Sequence, residues 1–302
     1  MKALKFFTLC CFVSFSLFFA ACGGGGGGGS SDSGTVAMSV TDAKPLLPEN
    51  VTNLFVEFSE VWVHKSGEGW KQLTLVESPY TIDLLQFQDG YTTELVPPTI
   101  FDYGKYTQVR IVVSKAWMVF DIKDENDEVI ATEDRTLEIP SKNLKTDKNF
   151  TIEVEDDSAM DIVIHFDLSM SVVVSGPASN PTYKLKPVLH LFDDPLKAAT
   201  IEGSIDFGSF GESSNKATID VIAENNGEVY TQVEITKSAT ADPTEYSILW
   251  IVPYQEYTVK INIDQDNDPI ECEKIVSDHP NADAEPPPPG GAADIGSCSS
   301  TE

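Results

Sequence analysis

From Thr35 onward, apolar side chains recur at every second position, and no stretch shows the period of a convincing amphipathic helix. Leu54, Val56 and Phe58 share one parity and Val61 and Val63 the other, with Trp62 and His64 facing away. The change of parity between Phe58 and Val61 predicts a bulge. Ser66-Gly67-Glu68-Gly69 then reads as a hairpin turn that returns through Trp70, Leu73 and Leu75. A chain patterned this way buries its apolar side chains by stacking sheets. The expected fold class is therefore all-β, in two β-sandwich-like domains.

The same alternation marks strands at Val109 to Val113 and at Val119 to Ile122. The second of these turns at Asp124-Glu125-Asn126-Asp127 and pairs with Val129 to Ala131. Further strands are expected at Phe150 to Val154, Ile162 to Phe166, Val172 to Val174 and Leu185 to Leu191. Asp193-Asp194-Pro195 reads as a boundary, beyond which a second set begins: Thr200 to Ile205, Ala217 to Ala223, Glu228 to Ile235, Tyr246 to Ile251, Tyr257 to Ile263 and Glu271 to Val276. From Pro280 the chain turns Pro- and Gly-rich and reads as an extended tail. The expected organisation is a β-rich domain over 35–194, a small sandwich over 200–278 and a tail over 279–302.

Met1 to Ala21 carries Lys2 and Lys5, then an apolar run from Phe6 to Phe19 interrupted by Thr8, Ser14 and Ser16. The run is shorter than the roughly 20 residues that span a bilayer. It also ends on small residues, so 1–21 reads as a secretory signal peptide and not as a membrane anchor. Phe19-Ala20-Ala21-Cys22 resembles the lipobox of bacterial lipoproteins, which implies that Cys22 becomes the acylated first residue of the mature chain. Each buried acyl methylene is worth about 0.8 kcal/mol, and stable anchoring takes more than one chain. Gly23 after the cysteine implies, by the same resemblance, the outer membrane before the inner. Residues 22–34 form a Gly- and Ser-rich tether whose twelve residues after Cys22 reach about 20 Å as a flexible coil.

The chain has 48 acidic against 20 basic side chains, a net charge of −28, with 41% hydrophobic residues. That apolar content excludes a wholly disordered acidic protein. The charge excludes a nucleic-acid partner, because a surface this acidic repels phosphates and shows no basic footprint.

Several stretches of the first domain resemble the family catalogued as domain of unknown function 4382, found in secreted lipoproteins. They are Val40-Thr41-Asp42-Ala43, Glu60-Val61-Trp62-Val63-His64, Ile82-Asp83-Leu84-Leu85, Gly104 to Arg110, Phe166 to Ser171 and Lys186-Pro187-Val188-Leu189. The resemblance implies a β-rich extracytoplasmic domain and no particular activity. Ile201 to Ile205, Ala217 to Val221 and Tyr246 to Val259 more loosely resemble the transthyretin-like regulatory domain of carboxypeptidases, which implies a spacer or binding accessory. Both domains contain Tyr-x-x-Tyr-Thr, at Tyr103 to Thr107 and at Tyr254 to Thr258, which reads as shared turn chemistry and not as a repeat.

Candidate chemistry is sparse. Asp264, Asp266 and Asp268 alternate as the first ligands of a calcium loop do, but Pro269 and Ile275 stand where such a loop wants Gly and an acid. The run is expected to be an acidic turn, with calcium as the alternative, and no other cofactor is expected. His165 and Asp167 point to one strand face, where two side chains cannot close a transition-metal site, and a hydrogen-bonded sheet histidine is expected. His64, His190 and His279 are scattered. No Gly-x-Ser-x-Gly, His-Glu-x-x-His or phosphate loop occurs. Cys272 and Cys298 are expected to pair outside the cytoplasm, a bridge worth about 3 kcal/mol by chain entropy. Among the four tryptophans Trp62, with its neighbour His64, is the expected outward ligand contact; the reading against it is a cross-strand packing pair.

These features lead us to expect a non-enzymatic, lipid-anchored envelope protein that contacts another envelope protein, a matrix or a glycan. A structural component of an envelope assembly is the alternative, and an unrecognised hydrolase the distant one.

Overall fold

The alternation is carried into twenty strands among the described residues of the computed structural model, which are 33–42, 47–48, 50–88, 90–145, 152–154, 159–177, 179–211, 214–241, 243–263, 270–276 and 292–299. The first lobe comprises β1 (Ser33–Asp42), β2 (Val51–Lys65), β3 (Gly69–Leu73), β4 (Tyr80–Asp83), β5 (Thr93–Asp102), β6 (Gly104–Lys123) and β7 (Val129–Thr136). It continues through β8 (Asn143–Lys145), β9 (Ile152–Val154), β10 (Ala159–Asp167), a one-turn helix α1 (Leu168–Ser171), β11 (Val172–Ser175), β12 (Thr182–Leu185) and β13 (Val188–Phe192).

One sheet runs β13-β10-β1-β5. The other is built on β2 and β6, which pair along almost their whole lengths; β3 and β4 join the far edge of β2, and β7, β8 and β9 the far edge of β6. Their inner faces meet in one apolar core. Val36, Met38, Val40, Ile162, Ile164 and Phe166 come from the first sheet, and Leu54, Val56, Phe58, Val61, Val63, Ile111 and Val113 from the second. Phe58 and Phe166 touch edge to face across it at 6.3 Å. Full burial of each such side chain stabilises by about 1.5–3 kcal/mol. The predicted bulge is present: the β2–β6 register shifts between Glu57 and Phe58 and again between Phe58 and Glu60. The extra residue lets Phe58 and Val61 both face the core although they are three apart.

The second lobe comprises β14 (Ala199–Ile205), α2 (Phe207–Phe210), β15 (Lys216–Ala223), β16 (Glu228–Thr236), β17 (Thr244–Ile251), β18 (Tyr257–Ile263), β19 (Ile270–Val276) and β20 (Ala292–Cys298). Sheets β17-β14-β20 and β16-β15-β18-β19 enclose their own core, with Ile201, Ile205, Phe207, Ile219, Val221, Val259, Ile261 and Ile295 buried. The 3-10 turn at Pro195–Lys197 links the lobes at the predicted boundary. No helix of the described residues is long and apolar enough to cross a membrane.

One expectation needs correction, and one strand was not anticipated. The stretch 279–302 is not a tail throughout, because β20 lies parallel to β14 from Thr200 opposite Ala292 to Ile205 opposite Cys298. Ala293 and Ile295 are buried by this strand, and the small sandwich therefore extends beyond 278. The Pro/Gly run before it hid a strand with one strong β-former, Ile295, which completes an otherwise open sheet edge. The unanticipated strand is β5, which no alternation announced because it contains Pro97 and Pro98. It sits at the edge of its sheet, where proline is tolerated, and register shifts against β1 absorb the irregularity.

The repeated Tyr-x-x-Tyr-Thr is one device used twice. In each lobe the second tyrosine is buried at the start of a strand and donates its hydroxyl to a backbone carbonyl just upstream, Tyr106 to Asp102 at 3.0 Å and Tyr257 to Val252 at 3.1 Å. The first tyrosine, Tyr103 or Tyr254, is exposed. This is the logic of a tyrosine corner, which fixes the chain's entry into a strand.

Candidate functional site

The outer face of the β2–β6 sheet carries a ladder of aromatic and cationic groups. Beyond the bulge, Val61 and Val63 point inward and Trp62 and His64 outward. The hairpin pairs His64 with Trp70, and the long β2–β6 ladder pairs Trp62 with Arg110. The Arg110 guanidinium consequently lies over both indoles, 4.9 Å from the Trp62 ring and 4.7 Å from the Trp70 ring. His64 meets Trp70 edge to face at 5.2 Å, and its Nδ1 lies 2.9 Å from the Thr107 hydroxyl. The Trp62 indole N–H donates to Glu60 at 2.7 Å. Each cation–π contact is worth about 0.5–1 kcal/mol at an exposed site and up to about 2 when desolvated. The ladder side chains are all half-buried.

Trp62 and His64 are thus brought together as the sequence suggested, but Trp62 is not a bare platform, since a guanidinium covers it. Sequence reasoning missed Arg110 and the partnership of Trp70. The hairpin register could have supplied Trp70, whereas Arg110 required knowledge of which strand lies beside β2.

Along the same face, Phe55 stacks on Trp117 at 5.1 Å. Trp117 lines a depression of about 340 Å³ with Ser114, Lys115, Asp134, Thr136 and Lys142, at the point where the partner of β6 changes from β7 to β8. Beside it, hydrogen bonding from Ser114, aided by Lys115, holds the Glu57 carboxyl below the usual carboxylate range.

A second cluster lies between the lobes. His165 is wholly buried, and neither ring nitrogen has a hydrogen-bond partner, contrary to the expected satisfied histidine. Its cross-strand partner is His190, their ring centroids 5.7 Å apart, so two of the scattered histidines meet. Burial first, and then His190, push the His165 pKa well below the ordinary value. Asp167 is absorbed in capping α1, accepting from Met170 N and Ser169 Oγ. Among the described residues no group of three His, Cys, Asp or Glu is placed to hold a metal ion.

Cys298 is buried and disulfide-bonded. Cys272 lies on β19, and its side chain is outside the described residues, as are Cys22 and the Asp264, Asp266 and Asp268 run.

The family described as Domain of unknown function (DUF4382) matches residues 33–187, half of the chain, from the first strand of the first lobe to just before β13. The chain belongs to this family. The match takes in the β2–β6 sheet, the strands β10, β1 and β5 of the other sheet, and every residue of the ladder. No curated protein matches the sequence. Among solved structures the chain is similar to a leucine-rich repeat protein from Bacteroides thetaiotaomicron VPI-5482, at 10% identity and a TM-score of 0.19, over 89% of this chain and 26% of that one. It thus spans about a quarter of that protein's length. It is also similar to the major pilin from Streptococcus pyogenes, at 8% identity and a TM-score of 0.15, over 88% and 97% of the two chains. TM-scores of this size carry no inference about fold or role.

Proposed function

We propose that this member of the DUF4382 family is a non-catalytic, lipid-anchored cell-envelope protein whose first lobe offers a binding surface to another envelope protein, a matrix or a glycan. The observation that carries the reading is the Trp62–Arg110–Trp70 ladder with His64 on the outer face of the largest sheet. Large, rigid aromatic side chains with polar tips are the residues that recognition surfaces favour. Phe19-Ala20-Ala21-Cys22 supports a signal peptide over 1–21 and acylation of Cys22, with the outer membrane as destination, and 22–34 serves as the tether. The second lobe, read as transthyretin-like, acts as a spacer, and Cys272 is the proposed partner of Cys298.

One observation favours the second reading, a structural part of an envelope assembly. β7 is an edge strand, and Ile122, Val129 and Ile130 are exposed on the hairpin it forms with β6. Such an edge is a template for strand addition.

Photocrosslinking on living cells separates the two. A benzophenone side chain at Gln72, directly across from Trp62, is expected to give a discrete adduct that disappears in a Trp62→Ala, Trp70→Ala background. An adduct from position 130 and none from 72 would replace the binding reading by the assembly reading. Release of a Cys22→Ala variant into the soluble fraction tests the anchor independently.

A further inference from the structure

The seam between the lobes is built from rings. Val163, His165 and Asp167 leave β10 on the face away from the first core, beside Phe192 and His190 of β13. The second lobe lays Trp250 and Tyr230 on them. His165 stacks between His190 at 5.7 Å and Trp250 at 6.2 Å, His190 stacks on Tyr230 at 4.3 Å, and Phe192 packs on Trp250 at 5.5 Å. Trp250 adopts a left-handed backbone, φ 62°, which is costly for a bulky residue, and its carbonyl accepts from the Tyr230 hydroxyl at 2.7 Å.

Five polar atoms in this layer are buried without a hydrogen-bond partner: both ring nitrogens of His165, Nε2 of His190, Oδ2 of Asp167 and Nε1 of Trp250. Buried polar atoms are normally paired, so their concentration in one layer calls for an explanation. Among the described residues two polar ties cross the seam. Gln232 N donates to Ser169 Oγ at 3.2 Å, and His190 hydrogen-bonds to the Tyr230 backbone. Neutral imidazoles fit here as flat aromatic rings. An imidazolium would place a charge in a buried layer of rings, and two would place like charges face to face.

We propose that the His165–His190 pair is a pH-operated latch: the lobes close on it while both imidazoles are neutral and part, each still folded, when they are protonated.

The groups facing the pair decide the sign. β10 supplies Asp167, whose Oδ1 is committed to capping α1, and β1 supplies the uncharged Thr41 opposite His165. β16 supplies Tyr230 and β18 Tyr257, phenols whose pKa burial raises, and β17 brings Trp250 and Leu249 without charge. Lys197, in the turn against β10, has its side chain outside the described residues. Burial lowers the His190 pKa and sets its net direction, against the upward pull of Asp167 and of the hydrogen bond to the Tyr230 backbone. The closed form therefore binds fewer protons than the open form. Closure is complete above the ordinary histidine pKa of about 6.5 and weakens as pH falls below it, by up to about tenfold per pH unit for each histidine.

Hydroxyl-radical footprinting of the full chain in detergent, read by peptide mass spectrometry, tests this. Between pH 7.5 and 5.0, labelling of Trp250 and Phe192 should rise several-fold while Phe58 and Phe166 in the first core stay protected. A His165→Phe, His190→Phe variant should keep Trp250 protected at both pH values. Trp250 protected in the wild type at pH 5.0 would overturn the proposal. So would Phe166 exposed together with it, or a variant that opens like the wild type. If that variant fails to fold, the ring resonances of the wild-type histidines decide: His165 must titrate below the ordinary value, and titration at or above it overturns the latch.

Discussion

Ile162, Ile164 and Phe166 leave β10 on one face, and Val163, His165 and Asp167 leave it on the other. Both sets are almost completely buried. The first meets apolar side chains of the facing sheet, in a core where cavities are costly. The second meets rings carrying nitrogen, with five polar atoms unpaired. Equal burial thus produces two different joints. One stabilises a lobe at every pH, and the other holds two finished lobes together under a condition.

The comparison breaks first if the two faces of β10 prove equivalent under substitution. Phe166→Ala empties the centre of the first core and should cost about 3–5 kcal/mol, the range for buried phenylalanine, seen as a lower midpoint in urea unfolding. Little stability should then remain in a first lobe of ordinary stability. Among the described glycines of the second lobe the tightest is Gly203, where an added Cβ would stand 2.5 Å from the Tyr246 hydroxyl and 3.1 Å from the Gly296 carbonyl. Gly203→Ala should cost about 1–3 kcal/mol by overpacking, and thermal unfolding should show the loss in the second lobe alone.

The tyrosine corners compare the lobes directly. Tyr106→Phe and Tyr257→Phe each delete one hydroxyl from an otherwise intact ring, and each should cost about 0.5–1.5 kcal/mol. Calorimetry that resolves the lobes should assign the first loss to one and the second to the other. A shared loss would mean that the lobes unfold as a unit even at neutral pH.

Much of this architecture is legible in sequence because period-two burial is a local signal. The strands marked by alternation in both lobes, the β6–β7 hairpin and the bulge after Phe58 follow from which neighbours alternate. The Tyr-x-x-Tyr-Thr pair showed turn chemistry, although its hydroxyl partners had to be seen. β20 and β5 were hidden by glycine and proline, which weaken strand signals without forbidding edge strands. The sites were less legible for a different reason. His165 meets His190, and Arg110 meets Trp62, through strand pairings that no local pattern specifies. Trp62 and His64 could be placed outward from parity alone, but the guanidinium that occupies the indole depends on β6 lying beside β2. The five orphaned atoms of the seam exist only once a second lobe covers the first.

The smallest effect at neutral pH carries the sharpest test of the two joints. His165→Leu replaces an unpaired buried ring by an apolar side chain of similar bulk. At pH 7.5 the imidazole is neutral in both folded and unfolded chains, so the exchange should be close to neutral in stability, because removing unsatisfied nitrogens offsets the lost stacking. Below about pH 6.5 the unfolded wild type takes up a proton that the closed folded form refuses, because burial and His190 depress the His165 pKa. Wild-type stability then falls with pH while the leucine variant lacks that loss, and the gap between them should widen by at most about 1.4 kcal/mol per pH unit. Urea unfolding of both chains at pH 7.5, 6.5 and 5.5 measures the gap. A constant difference would make His165 an ordinary packing residue and the two faces of β10 alike; a difference that grows only on acidification assigns the pH response to the seam.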